Sequence, residues 1–389
     1  DYKYSTGQFG RIVTSKLMAL QSSGQISFQN IEDEFGQNGS RSIGAYRLTQ
    51  NIGTINNIPL DAGIPTSGEI KFSDFYGKKL NIVVDYYSTA ENRQTSGASS
   101  MAATARYVSQ NAKVKIVGGY QSKPTAILNQ GTYNLTNATT NTAWQGGKKV
   151  FIHIGNNTIG GQKSTNQAGT NIVALRTGGW PSGTNLQIDI GSSGRIQGAG
   201  GDGRQGKSNS GTPSQANSGT SALGIETAAQ INNSGIIRCG YGGGGGGAGS
   251  WSDPNKSMTD YGRSGGGGGG GAGIPAGSGG PQNCGGYGGS VTCGGAGGAG
   301  DAENGGGGGI GGDHGVGGGG GGNGGEGGDI NLPNADNGTA GSPNRGGGGA
   351  AGPKGYGIIY GSAGIQSLCT GNTSVAANQG GTTNSGGIY

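Results

Sequence analysis

Ser264-Gly265-Gly266-Gly267-Gly268-Gly269-Gly270-Gly271-Ala272-Gly273 has almost no side chain to bury, and how such a stretch is held decides the fold. Similar tracts run over Gly242 to Gly247, Gly305 to Gly309, Gly317 to Gly322 and Gly346 to Gly349, and glycine supplies 97 of 389 residues against 11 prolines. Collagen would need a strict Gly-X-Y register and far more proline. A flexible linker would show Ser-Gly repeats without long polar inserts. Disorder is the plain reading of a chain with 30% hydrophobic and 12% charged residues, because little apolar surface is available to offset conformational entropy. The fourth reading is an extended polyproline-II-like helix made of glycine, with three residues per turn, about 3.1 Å rise and no internal hydrogen bonds. Each N–H must then find a carbonyl on a neighbouring helix, and only glycine lets the axes come close enough. A tract of six or seven glycines spans on the order of 20 Å, so several tracts side by side would form a compact bundle of polyglycine II helices.

On this reading the polar inserts between tracts become loops at one or both ends of the bundle, where a rigid scaffold carries recognition. The inserts are Ser250 to Ser264, Ile274 to Cys293, Asp301 to Asn304 and Asp329 to Arg345. The candidate receptor-binding residues are Trp251, Asp253, Asn255, Lys256, Tyr261, Arg263, Asn283, Tyr287, Asn334, Asn337 and Arg345. Aromatic rings beside Asn, Asp and Lys suit a carbohydrate or a protein loop, through face stacking and fixed hydrogen bonds. The competing role for Trp251 and Tyr261 is packing along the side of the lattice.

Working outward, the fold class is mostly β, in four parts. Residues 1–79 form a small docking module with an internal repeat, since Ser23-Gly24-Gln25-Ile26-Ser27-Phe28-Gln29-Asn30-Ile31 is matched by Ser67-Gly68-Glu69-Ile70-Lys71-Phe72-Ser73-Asp74-Phe75. The alternation after each glycine predicts a short half-buried strand, and the Asn or Asp with its aromatic neighbours predicts a brief helix or turn. The docking residues are Ile26, Phe28, Phe35, Ile70, Phe72, Phe75 and Tyr76. Met18-Ala19-Leu20 reads as a natural start, with the preceding residues an upstream extension. Residues 80–239 are β-rich, with strands at Leu80–Tyr87, Lys113–Val117, Lys149–Ile154 and Asn185–Ile190. Three segments share a rhythm of strand, polar corner and isoleucine, namely Ile152 to Gly160, Ile188 to Ile196 and Ile231 to Ile237. They read as rungs of a solenoid. Residues 240–355 are the glycine-rich part, and residues 356–389 form a C-terminal β tail that covers its open side.

The remaining chemistry is sparse. A formal charge of +5 with dispersed Lys and Arg leaves no nucleic-acid footprint, and no apolar run reaches the roughly 20 residues of a membrane span. His153 reads as a strand-face residue, and His314 lacks a second metal ligand, so no metal or cofactor is expected. Glu32, Asp33 and Glu34 read as a solvated turn. The chain has no nucleophile elbow with a histidine partner, and an enzyme is not expected. Cys284 and Cys293 flank a tyrosine-containing insert; they close it as a disulfide in an oxidising setting and stay thiols in a reducing cytoplasm.

The S-G-[QE]-I-x-F-x-[ND] units ending in Phe35-Gly36 and Tyr76-Gly77, together with the glycine tracts after Gly240, resemble tail-fibre proteins of T-even-type phages, especially those infecting marine cyanobacteria. In the related receptor-recognising adhesins an N-terminal domain docks on the fibre tip, and a polyglycine II sandwich presents hypervariable loops to the host. The resemblance implies a virion protein assembled in the host cytoplasm. Its partners would be other tail-fibre or baseplate proteins and a host surface glycan or outer-membrane protein, with a homotrimer as one assembly. The alternative is a purely structural extracellular fibre or shaft protein whose glycine lattice is an assembly interface.

Overall fold

The computed structural model describes residues 20–35, 42–47, 49–52, 55–59, 63–78, 82–86, 117–118, 133–134, 149–154, 158–177, 185–207, 213–251, 262–285, 292–312, 322–340, 347–372 and 382–383. In the N-terminal part, each copy of the repeat forms the brief helix or turn expected around its Asn or Asp, and the alternating residues before it form no strand. Helix α1 (Phe28–Phe35) starts at Ser27, whose N–H donates to Asn30 Oδ1 at 2.9 Å while the Asn30 N–H donates to Ser27 Oγ at 3.2 Å. This reciprocal cap satisfies first-turn donors and outweighs the alternating pattern. In the second copy the Lys71 N–H donates to Asp74 Oδ2 at 2.7 Å, opening a 3-10 turn over Phe72–Phe75. The equivalent residues Ile31 and Phe75 are both fully buried, beside Leu20, Tyr46 and Ile64. A hairpin of β1 (Thr49–Ile52) and β2 (Ile55–Pro59) lies between the copies.

The middle is built of parallel strands. A six-stranded sheet has the order β19-β12-β9-β6-β3-β4, a five-stranded sheet β20-β18-β11-β8-β5, and a three-stranded sheet β13-β10-β7. The strands are β3 (Ile82–Tyr86), β4 (Val117–Gly118), β5 (Tyr133–Asn134), β6 (Lys149–Ile154), β7 (Thr158–Gly160), β8 (Val173–Arg176), β9 (Asn185–Ile190), β10 (Arg195–Gln197), β11 (Ser221–Ile225), β12 (Ala229–Asn233), β13 (Ile236–Arg238), β18 (Ile358–Tyr360), β19 (Thr370–Asn372) and β20 (Thr382–Thr383). Of the expected Lys113–Val117 strand, only Val117 falls within the described residues. The chain visits the three sheets in rotation, as β6-β7-β8, β9-β10-β11 and β12-β13-β18. Helix α2 (Ala363–Leu368) follows, capped by Ser362 Oγ on the Ile365 N–H.

The isoleucine rhythm is a register. Ile152, Ile188 and Ile231 pair in one row and Ile159, Ile196 and Ile237 in a second, while Leu175, Leu223 and Ile358 form a third. None of the nine is more than 1% exposed. Stacking identical rungs buries a continuous aliphatic core that a single turn could not bury.

The glycine segments leave this solenoid at one corner, between the three-stranded and five-stranded sheets. The first turn carries 161–172 there, the second 198–220, and the third the whole of 239–357. Among the described residues these excursions contain ten extended threads, which we number t1 (198–207), t2 (213–220), t3 (239–249), t4 (264–273), t5 (276–283), t6 (294–300), t7 (304–312), t8 (322–329), t9 (334–340) and t10 (347–357). They carry no helix or strand of their own, and their backbone hydrogen bonds run between threads.

In t4 successive N–H groups rotate through three partners. Gly265, Gly268 and Gly271 donate to Lys207, Arg204 and Gly201 of t1 at 2.8–2.9 Å. Gly266, Gly269 and Ala272 donate to Gly322, Gly325 and Gly328 of t8, and Gly267, Gly270 and Gly273 to Gly295, Gly298 and Asp301, which begin with t6. The t4 carbonyls accept from t3, t5 and t7, so t4 touches six threads. Thread t3 does the same with t1, t2, t4, t8, t9 and t10. These pairings define three layers: t2-t1-t5, then t10-t3-t4-t6, then t9-t8-t7.

Close approach is what demands glycine. A Cβ on any residue from Gly265 to Gly271 would lie 1.7–2.3 Å from a carbonyl oxygen of an adjacent thread. Side chains appear where threads face solvent, as at Ala296, Ala299 and Ile310, the last 74% exposed.

Turns at the solenoid end close three thread pairs. In one, the Asp301 N–H donates to the Asn304 carbonyl at 2.8 Å, and Glu303 reaches back to Arg195 and Arg238 at the solenoid corner. Burial by itself would raise the Glu303 carboxyl. The hydrogen bonds and charges of both arginines outweigh it and hold the group below the ordinary glutamate range.

Two outcomes follow. Gly268→Ala sets a Cβ 2.0 Å from the Gly244 carbonyl oxygen, whereas Gly307→Ala meets nothing within 4 Å. Thermal unfolding should show a loss of about 3 kcal/mol for the first and a change within about 0.5 kcal/mol for the second. Because the folded pKa of Glu303 is depressed, its contribution is present above the ordinary value of about 4.3 and is lost as pH falls through the folded value. Glu303→Gln should therefore lower Tm at neutral pH, with the gap to the parent closing in acid.

Candidate functional site

Thread direction decides where the inserts lie. Threads t1 and t3 run outward in parallel, since the Gly201, Arg204 and Lys207 N–H groups donate to the Tyr241, Gly244 and Gly247 carbonyls in rising order. Thread t4 returns antiparallel to t3, and the alternation continues to t10. The turns 274–275, 301–303 and 330–333 are thereby at the solenoid end. The flanks of 208–212, 252–261, 286–291, 313–321 and 341–346 are all at the far end.

Two hairpins stand side by side there. Strands β14 (Ser250–Trp251) and β15 (Gly262–Arg263) pair Ser250 with Arg263 and Trp251 with Gly262, joining t3 to t4. Strands β16 (Cys284–Gly285) and β17 (Thr292–Cys293) join t5 to t6, with Cys284 opposite Cys293. The two cysteines form a disulfide with their Cα atoms 4.0 Å apart. Below it, Asn283 Nδ2 donates to the Gly206 carbonyl at 2.7 Å and Gln205 Nε2 to the Gln282 carbonyl at 3.0 Å. The Gly294 N–H donates to the Asn283 carbonyl at 2.9 Å. At the neighbouring corner the Gly311 N–H donates to Asn323 Oδ1 at 2.9 Å, and Thr339 holds Asn323 through its hydroxyl. Asn283 thus has a positioning role, and Gln205 and Asn323 do similar work that sequence reasoning missed. The available signal was a lone amide residue beside or inside a glycine tract.

Of the candidate residues, Trp251, Arg263 and Asn283 are brought to this far end by their backbone positions. Asn334 is not, for it starts t9 beside the solenoid-end turn, roughly 20 Å from the far end at about 3.1 Å per residue. Asn337 lies midway along t9, where its Oδ1 accepts from the Ala351 N–H at 2.8 Å. Asp253, Asn255, Lys256, Tyr261, Tyr287, Arg345 and His314 lie outside the described residues. Among the described residues no cluster of three or more His, Cys, Asp and Glu side chains could hold a metal ion. Among the described residues, the far end carries the side-chain amides of Gln205, Asn283 and Asn323 and the hydroxyl of Thr339, each hydrogen-bonded within the block.

In the N-terminal part, the expected docking residues divide. Phe75 is fully buried, its ring 5.8 Å from that of Tyr46, and so belongs to the local core. Ile26, Phe28, Ile70 and Tyr76 are half-buried, and the Tyr76 hydroxyl donates to the Gly24 carbonyl. Phe72 is 37% exposed, its ring 5.1 Å from Phe28 in an edge-to-face contact. The side chain of Phe35 is outside the described residues.

A solved structure, the gp37-gp38 adhesin tip complex of the bacteriophage S16 long tail fiber, is 17% identical, with 93% of this chain and 99% of that chain covered and a TM-score of 0.36. No curated protein matches. The family described as phage tail fibre adhesin Gp38 matches residues 123–319, a little over half of the chain and a span running from the solenoid into the glycine threads. On that match, the chain belongs to the Gp38 family of phage tail fibre adhesins.

Proposed function

We propose that this adhesin binds the host cell surface through the loops at the far end of its glycine block, that the ten threads are a polyglycine II bundle, and that residues 1–79 dock the chain on the tail fibre. The observation that carries the reading is directional. Threads alternate, so the chain enters and leaves five insertions at one end, opposite the solenoid. Three-residue periodicity of the hydrogen bonds, with six neighbours around t3 and t4, supports polyglycine II geometry. Side-chain variation in those insertions leaves the lattice untouched, which is the property a recognition surface needs.

The chemistry is non-enzymatic binding of a surface glycan or an outer-membrane protein. Aromatic rings such as Trp251, Tyr261 and Tyr287 supply stacking area, and Asp253, Asn255, Lys256 and Arg345 supply directional polar contacts. The exposed Phe72, with the edges of Ile26 and Ile70, supplies an apolar patch for another tail-fibre protein. A purely structural role, with the lattice as an interface between chains, is less well supported, because both central threads fill all six neighbouring positions from this same chain.

Replacing 252–261 by an Asn-Gly turn keeps the β14–β15 hairpin closed. Phage carrying this form should adsorb to the host at least about ten-fold more slowly, with unchanged particle assembly and unfolding temperature. Normal adsorption by intact particles would favour the structural role.

A further inference from the structure

At the far end, the Cys284–Cys293 disulfide is used neither by the lattice nor by the solenoid. Both cysteines are exposed, and they sit at directly opposed positions of β16 and β17. Cys239 is a buried free thiol and Cys369 a half-buried one, so the bonded pair is the accessible pair among the described residues. The hairpin base is held independently, through Asn283 on Gly206, Gln205 on Gln282 and Gly294 on Asn283. Between the two cysteines runs Gly285-Gly286-Tyr287-Gly288-Gly289-Ser290-Val291-Thr292, in which half the residues are glycine. Glycine disfavours strand structure and loses the most freedom on ordering. The cross-link joins β16 to β17 at directly opposed positions next to that base.

We propose that Cys284 and Cys293 form a redox lock on host binding: with both as thiols the adhesin binds weakly, and oxidation after release from a reducing cytoplasm sets the hairpin in its binding-competent form. This rests on the reading of the far end as the receptor-binding surface. The oxidant is a small-molecule disulfide of the glutathione class. One cysteine thiolate attacks it, expelling one small thiolate and leaving a mixed disulfide on the protein. The second cysteine thiolate then attacks the protein sulfur of that bond and expels the other small thiolate. Two protein thiols are oxidised and one small disulfide is reduced to two thiols, with the protons released by the cysteines taken up by the expelled thiolates. Thiols persist in the cytoplasm and disulfides outside it, so the lock is open during synthesis and closed where the host is met. Preorganising a binding loop raises affinity by removing the cost of ordering it on contact.

The test compares phage adsorption to host cells for the oxidised form, the form reduced by a phosphine with thiols counted by alkylation and mass, and the reduced form re-oxidised with glutathione disulfide. Reduction should slow adsorption about ten-fold, and re-oxidation should restore it. Particles carrying Cys284→Ser with Cys293→Ser should stay at the low rate and ignore the reductant, while Cys369→Ser should behave as the parent. Equal adsorption by oxidised and fully reduced protein overturns the lock, as does a reductant effect that persists in the double-serine form. If replacing 252–261 slows adsorption but reduction does not, only the lock falls. If neither change matters, the receptor-binding reading falls with it.

Discussion

The structure depends on hydrogen bonds between the main chains of neighbouring glycine threads. Ordering one residue costs roughly 1–2 kcal/mol and a net hydrogen bond contributes only about 0.5–1.5 kcal/mol. A single extended thread is therefore unstable, and a bundle holds only where almost every inner N–H and carbonyl is paired. Threads t3 and t4 meet that condition, each donating to three neighbours and accepting from three others. The demand for glycine is steric. Among the described residues the glycines at positive φ are Gly24, Gly63, Gly68, Gly77 and Gly371, none of them in a thread. Lattice glycines are needed because a Cβ would collide with the next backbone.

Such a lattice has no side chains with which to choose its register, and the solenoid supplies the choice. Aliphatic rows fix β10, β11, β13 and β18 in register, and the threads start and end on those strands. At the junction Cys239, Tyr241 and Ala272 form a small buried cluster, and burial pushes the Cys239 thiol up to about 12. Across the face of the block Lys163 bridges to Asp202 at 2.7 Å and to Ser278 at 3.0 Å. Burial would raise the Asp202 carboxyl, and its hydrogen bonds and the Lys163 charge more than offset this. Ordinary side-chain chemistry thus ties the block to the solenoid at its root and along one face.

Much of this was legible because periodicity survives in sequence. The isoleucines at 159, 196 and 237 announced a rung, and tracts such as Gly265 to Gly271 announced threads packed closely on all sides. Threads t1 and t2 were not recognised, because at the edge of the bundle outward positions carry Asp202, Arg204, Gln205, Ser214 and Gln215, which mask the glycine signal. Local capping by Ser27 and Asn30 overrode an alternating pattern that reads as strand. Asn334 looked equivalent to Asn283 as a polar insert residue. The difference between them is thread direction, which depends on pairings between distant segments that spacing does not encode.

The most direct measurement is amide hydrogen exchange across 239–357. Main-chain pairing between threads predicts the slowest exchange at residues 241–248 and 265–273, approaching that of the Ile188 and Ile231 rows, with faster exchange at the outer threads. Exchange at random-coil rates throughout the glycine tracts would contradict the lattice and the display of loops built on it.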